Sequence, residues 1–191
     1  MTSIICLRGL LWSLAIIIAF SASPASAHPE MSSEKRWDVT SNWMQFAPFV
    51  AGAAVAAYKD DWEGGKQLLR TSAAGEITTQ GLKYSLKGTF LDKRPNGSSR
   101  SFPSGHTSMA CSGAALLGNR YGWEYGVPAF AVAATVGYAR VKSAEHHVRD
   151  VVGGCALSYG ISTFFVTKQG EENLYPVIGP DFIGFRWTWR H

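Results

Sequence analysis

Three polar islands between Lys87 and Asp150 carry the residues whose types and spacing could do chemistry. The first reads Lys87-Gly-Thr-Phe-Leu-Asp-Lys-Arg94-Pro95, and the second Ser101-Phe-Pro-Ser104-Gly105-His106. The third runs from Arg140 to Asp150 and includes His146 and His147. A phosphoryl group in transfer spreads negative charge over its equatorial oxygens, so a site for it needs fixed cations and N–H donors. Lys87, Arg94 and Arg140 can supply the charge, and the planar arginine fork makes paired hydrogen bonds to phosphate. Gly105 lets backbone approach a ligand closely, and Ser104 is placed to cap a helix whose free first-turn amides favour an anion. Any one of these cations taken alone reads more simply as a solvated surface charge.

Histidine sets the reaction type. An imidazole near neutral pH serves as nucleophile or proton donor, and a covalent phosphoenzyme route needs both. On a helix His146 and Asp150 would share a face, so the carboxylate would accept one ring proton and leave the other nitrogen free to attack. His106 would then protonate the leaving alkoxide. In isolation His146 and Asp150 also read as a capping or salt-bridge pair at the start of the last helix. A metal site built from His106, His146, His147 and Asp150 is the weaker reading, because adjacent helical histidines point about 100° apart. Neither an HExxH pattern nor a two-metal acidic cluster is present. No metal and no cofactor are expected.

The elements that must position these groups read as helices. A helix is expected over Phe46 to Tyr58, capped by Ser41 or Asn42, and a second over Lys66 to Leu86 with Leu68, Leu69, Ile77 and Leu82 in the core. Residues from Lys87 to Phe102 read as a functional loop. Further helices are expected from Gly105 to Asn119, from Pro128 to Lys142 and from His147 to Val166, with a turn over Gly118 to Gly126. Before them, His28 to Asp38 reads as a loosely held arm. After them, Phe185, Trp187 and Trp189 alternate with polar residues, which predicts a short extended C-terminal segment or an interfacial anchor.

Residues 1–27 have a charged start at Arg8, an apolar run from Leu10 to Phe20 and an Ala25-Ser26-Ala27 cleavage site, the pattern of a secretory signal peptide. An uncleaved anchor is the lesser reading, since the run falls short of the roughly 18 residues a spanning helix needs. The domains expected are therefore 1–27 as signal peptide and 28–191 as one catalytic domain. The 18 basic and 14 acidic residues give +4, and removing Arg8 leaves +3. No basic stripe interleaved with aromatics suggests nucleic acid, while an anionic substrate or membrane face fits. The mean hydropathy of -0.02 is low for a multi-span protein. Cys111 and Cys155 sit in apolar helical patterns and read as buried free thiols.

In order and spacing the three islands resemble the signature of the type 2 phosphatidic acid phosphatase superfamily, K-x6-R-P, then P-S-G-H, then S-R-x5-H-x3-D. Lys87 and Arg94-Pro95 match the first motif, Pro103 to His106 the second, and Arg140, His146 and Asp150 the third, which selects His146 over His147. Ala139 stands where the family usually has Ser. The resemblance implies an all-α bundle of about five to six helices with the active site at helix ends. It also implies metal-independent phosphoryl transfer with His146 as nucleophile, Asp150 orienting it and His106 as acid. Lys87, Arg94, Ser104, Gly105 and Arg140 would form the phosphate cradle. The reading is an exported, periplasmic phosphatase of a phosphomonoester or diphosphate, more readily a lipid-linked one, in solution or at the outer face of a bacterial inner membrane. A soluble broad-specificity acid phosphatase, a vanadium haloperoxidase and a non-catalytic phosphate- or lipid-binding module remain the alternatives.

Overall fold

The computed structural model describes residues 32–170 and the backbone of residues 173–179 and 182–188. The expected signal peptide lies outside the described residues. Among the described residues six α-helices follow in order: α1 Ser33–Met44, α2 Ala47–Tyr58, α3 Trp62–Ser85, α4 Gly105–Leu116, α5 Trp123–Lys142 and α6 Val148–Phe165. A π-helical turn, Leu117–Tyr121, joins α4 to α5, and the chain continues into an antiparallel hairpin of β1 Asn173–Gly179 and β2 Phe182–Thr188. The all-α expectation holds for the bundle, and the extended C-terminal segment is this hairpin.

At the centre lies α4, which packs against α2, α3, α5 and α6. Its run of Ala110, Ser112, Gly113, Ala114 and Ala115 is buried, and such small side chains let neighbouring backbones come close. Gly113 is required there, because a Cβ would stand 2.5 Å from the backbone of Pro48 and Phe49. Leu68, Leu116, Leu117 and Val136 fill the adjoining core.

The long helix α3 departs from the expected pattern at two of its four expected core positions. Leu68 is buried, but Leu69 and Ile77 are 63% and 72% exposed. Its inward face is instead polar: Ser72 pairs with Ser112 at 3.1 Å and Thr79 with Ser108 at 2.9 Å. Hydrogen bonding satisfies these buried hydroxyls, so the apolar side chains of the same helix can face outward. No helix among the described residues is long and apolar enough to cross a membrane.

Three other expectations are corrected. Ser33 to Asp38 is not a loose arm but the first half of α1, capped by Ser32; Ser41 and Asn42, expected to cap the following helix, lie inside α1, and α2 starts after Phe46 with no side-chain cap. Weak periodicity hid this helix; tertiary contacts hold it, with Trp37 edge-on to Tyr138 at 5.5 Å and Ser41 fully buried. The turn expected over Gly118 to Gly126 is mostly helical, ending only at Gly122 with φ 106°, and Pro128 lies inside α5. Cys111 and Cys155 are not free thiols but a disulfide joining α4 to α6 across 5.2 Å between Cα atoms. Close approach of the two helices makes the bridge possible. Spanning 44 residues, it removes unfolded-chain entropy worth about 4 kcal/mol.

Candidate active site

Helix ends and one loop bring the three islands to a cavity of about 430 Å³, lined by Lys83, Arg94, Arg100, Gly105, His106 and His146 among others. Ser104 caps α4 as expected, accepting from the Thr107 N–H and the Thr107 hydroxyl. That cap starts the helix so that Gly105 and His106 occupy its first turn beside the cavity. Gly154 of α6 packs on it, where a Cβ would meet the Ser104 carbonyl oxygen at 2.6 Å. The loop between α3 and α4 is organised by Asp92, whose carboxylate accepts from the N–H groups of Gly88 and Arg100. These two bonds hold the Asp92 carboxyl below its ordinary range.

His146 is 2% exposed and precedes α6 rather than lying on it. Asp150, in the first turn of α6, reaches back: its Oδ2 accepts from the His147 N–H at 2.9 Å and from the Ser101 hydroxyl at 2.5 Å. The same oxygen stands 3.5 Å from His146 Nδ1. The carboxylate caps the helix and stands beside the histidine, but it makes no hydrogen bond to it: His146 Nδ1 and Asp150 Oδ1 are both buried without a partner. With Nδ1 turned to Asp150, Nε2 is the nitrogen available to the cavity. Catalytic hydrogen bonds are commonly longer before a substrate is bound.

Arg94 and Arg140 meet at Glu145. Arg94 Nη1 pairs with Glu145 Oε2, and Arg140 Nη2 lies 3.2 Å from the same oxygen. From α1, Asp38 accepts from Arg140 Nη1 at 2.5 Å, and Asn42 Oδ1 lies 2.7 Å from His106 Nε2. The Nε atoms of both arginines are buried without a hydrogen-bond partner. Buried donors are rarely left so.

Lys87 is not brought into this group. It is exposed and does not line the cavity. Helix α3 ends at Ser85, and Gly88 turns the chain away at φ 81°, so Lys87 leaves the helical face. Lys83, one turn earlier, is 6% exposed and lines the cavity, with Nζ bonded to the carbonyls of Arg100 at 2.7 Å and Ser101 at 3.2 Å. The sequence reading missed Lys83; its signal was the stop formed by Lys87-Gly88, which places a helical lysine at the last inward-facing turn. Ala139 is fully buried in α5, directly before Arg140.

Burial and surrounding cations oppose protonation of the site's bases, leaving the two histidines neutral and Lys83 still mostly charged at pH 7. His146 is pushed down to about 2, by burial first and then by Lys83, Arg94 and Arg140. His106 is pushed down to about 4, by burial and Arg140. Lys83 falls to about 8, by burial and then Arg94 and Arg100. Between these folded-state values and the ordinary histidine value near 6.5, the unfolded chain binds more protons, so unfolding free energy rises with pH and is lost on acidification. The urea midpoint is therefore expected to fall steadily from about pH 7 to about pH 4.5, a window above the carboxylate range. A His106→Gln/His146→Gln double variant should flatten that fall; equal slopes in both proteins would contradict the assignment.

Residues 67–173 match the PAP2 superfamily. The chain belongs to that superfamily. It is 31% identical over 167 residues to a lipid A 4'-phosphatase of Helicobacter pylori, covering 76% of this chain and 82% of that one. It is also 31% identical over 123 residues to a lipid A 1-phosphatase of Porphyromonas gingivalis, covering 61% of this chain but 27% of the relative. The bundle resembles a solved transmembrane PAP2 type phosphatidylglycerolphosphate phosphatase from Bacillus subtilis, with TM-score 0.53 and 20% identity over 85% of this chain and 84% of that one. PAP2 membership places the chain among phosphatases of the phosphoric ester hydrolase class. Within the PAP2 signature its departures are Ala139 and a first-motif lysine that lies off the cavity.

Proposed function

We propose that the chain is an exported PAP2 phosphatase that hydrolyses a lipid-linked phosphomonoester of the lipid A class through a phosphohistidine at His146, without a metal ion. The observation carrying this reading is the meeting of Arg94, which lines the cavity with His146, and Arg140, which stands behind it on the shared Glu145 carboxylate; each has a buried, unpartnered Nε–H, and both oppose protonation of His146. Phosphoryl oxygens supply the acceptors those donors lack, and Lys83, Arg94 and Arg140 supply the charge a metal would otherwise bring.

In the first half-reaction His146 Nε2 forms a bond to phosphorus while its Nδ1–H turns to Asp150. The bond from phosphorus to the leaving oxygen breaks, and that oxygen takes a proton from His106. His106 is neutral in the empty site, because burial first and then Arg140 oppose its protonation; a dianionic phosphate offsets the positive charge and lets it hold the proton it must give. In the second half-reaction neutral His106 takes a proton from water, the resulting hydroxide attacks phosphorus, and the P–N bond breaks to release phosphate and free His146.

Export is supported by the Cys111–Cys155 disulfide, since such bonds persist in oxidising compartments. Lipid contact is supported by exposed Leu69, Ile77, Val127, Val152 and Phe164 on the outer helix faces. The test is an acid- and base-quench of the enzyme with ³²P-labelled lipid A, run with and without EDTA. An acid-labile, base-stable labelled protein that forms equally in EDTA is the expected result. Metal-dependent labelling overturns the metal-free route, and phosphate release without label overturns the phosphohistidine. Turnover of soluble aryl phosphates in preference to lipid A would instead favour the broad-specificity reading, and no turnover of either would favour a binding module.

A further inference from the structure

Beyond the phosphoryl cradle, one wall of the cavity is built from hydrogen-bonding side chains that the mechanism does not use. Gln80 Nε2 donates to Glu76 Oε1 at 2.6 Å, and Arg100 Nη2 donates to Gln80 Oε1 at 2.9 Å. All three residues line the cavity. Arg100 is held there on purpose-built backbone: its φ is 66°, a conformation that a side-chain-bearing residue seldom adopts, and its N–H is fixed by Asp92 at 2.7 Å. Its guanidinium lies over the Tyr84 ring at 5.1 Å. The Arg94 and Arg140 side chains are paired with carboxylates, whereas the described partners of the Arg100 side chain are a neutral amide and a ring. Glu76 Oε2 has no hydrogen-bond partner among the described residues.

The donor and acceptor balance of this wall selects a class of leaving group. An ionised carboxylate only accepts, so a ligand group that reaches Glu76 Oε2 must be a donor. Arg100 and the Gln80 amide group offer N–H donors beside it, which suit acceptors. A diacylglycerol offers ester oxygens and no donor. A sugar or polyol ring offers hydroxyls that both donate and accept. The cavity, at about 430 Å³, lies within the size range of small-molecule sites, with space for such a ring beside the phosphoryl group.

We propose that Glu76, Gln80 and Arg100 form a leaving-group subsite that takes a hydroxyl-bearing glycosyl moiety and sets specificity against acylglycerol phosphates. This deepens the phosphatase reading above and rests on it. The test compares octyl glucoside monophosphate with dioctanoyl phosphatidic acid in one detergent, with p-nitrophenyl phosphate as the check on phosphatase activity itself. Wild type should favour the glycosyl substrate, and Glu76→Gln, Gln80→Leu and Arg100→Ala should each lower the ratio of the two kcat/KM values by about 10-fold or more, as expected where a site bonds substrate hydroxyls. Inhibition by inorganic phosphate reports whether each variant keeps a folded cradle. An unchanged ratio in variants that still bind phosphate overturns the subsite. So does a wild type that cleaves p-nitrophenyl phosphate and phosphatidic acid but not the glycosyl substrate. A wild type inert on all three overturns the phosphatase reading, and the subsite with it.

Discussion

Replacing His146 with alanine is expected to lower kcat by a factor on the order of 10³ or more, because it removes the atom that must bond to phosphorus. His147→Ala is the informative control. His147 adjoins His146 in sequence, but its ring contacts the Lys93 carbonyl at 3.2 Å, and its useful contribution is the backbone N–H that Asp150 accepts. That N–H survives substitution, so His147→Ala should keep activity within about 10-fold of wild type. Single-turnover kinetics on both variants decide the matter. A larger loss for His147→Ala than for His146→Ala would place the nucleophile one residue away and dismantle the proposed register.

The second large effect concerns Lys83. Removing one preorganised charge donor from a transition-state site costs about 10²- to 10³-fold, and Lys83→Met is expected to lower kcat/KM by that amount. Weaker competitive inhibition by inorganic phosphate should accompany it, since Lys83 lies close enough to depress both His146 and His106. Lys87→Met should change neither quantity by more than a few-fold, as an exposed lysine in a solvated turn contributes little. If Lys87→Met carried the loss, the family spacing would outrank the geometry. A Lys83 variant that lost activity with phosphate inhibition unchanged would show that its bonds to the Arg100 and Ser101 carbonyls matter more than its charge.

Much of the candidate site is legible in the sequence. His106, His146 and Asp150, with Arg94, Ser104, Gly105 and Arg140, sit in short motifs whose internal spacing is enforced by local structure. Ser104 caps a helix that begins at the next residue, and Asp150 caps one that begins two residues after His146. Such constraints act over three or four residues and therefore leave a mark in the order of residue types. Hydrophobic patterning likewise predicted the positions of most helices to within a few residues.

What the sequence by itself determined, then, is the chemistry on offer and the helices that carry it. The tertiary structure decided which groups meet. Lys83 rather than Lys87 lines the cavity, because the helix stops two residues too early for Lys87 to stay on the inward face. The inward face of α3 is polar because α4 presents serines to it, a pairing that hydropathy along α3 alone reads inside out. Asp38 and Asn42 reach Arg140 and His106 across separations of 102 and 64 residues, and the disulfide depends on two helices packing 44 residues apart. Contacts of that range are set by packing and by pairing of buried polar groups, which no local spacing encodes.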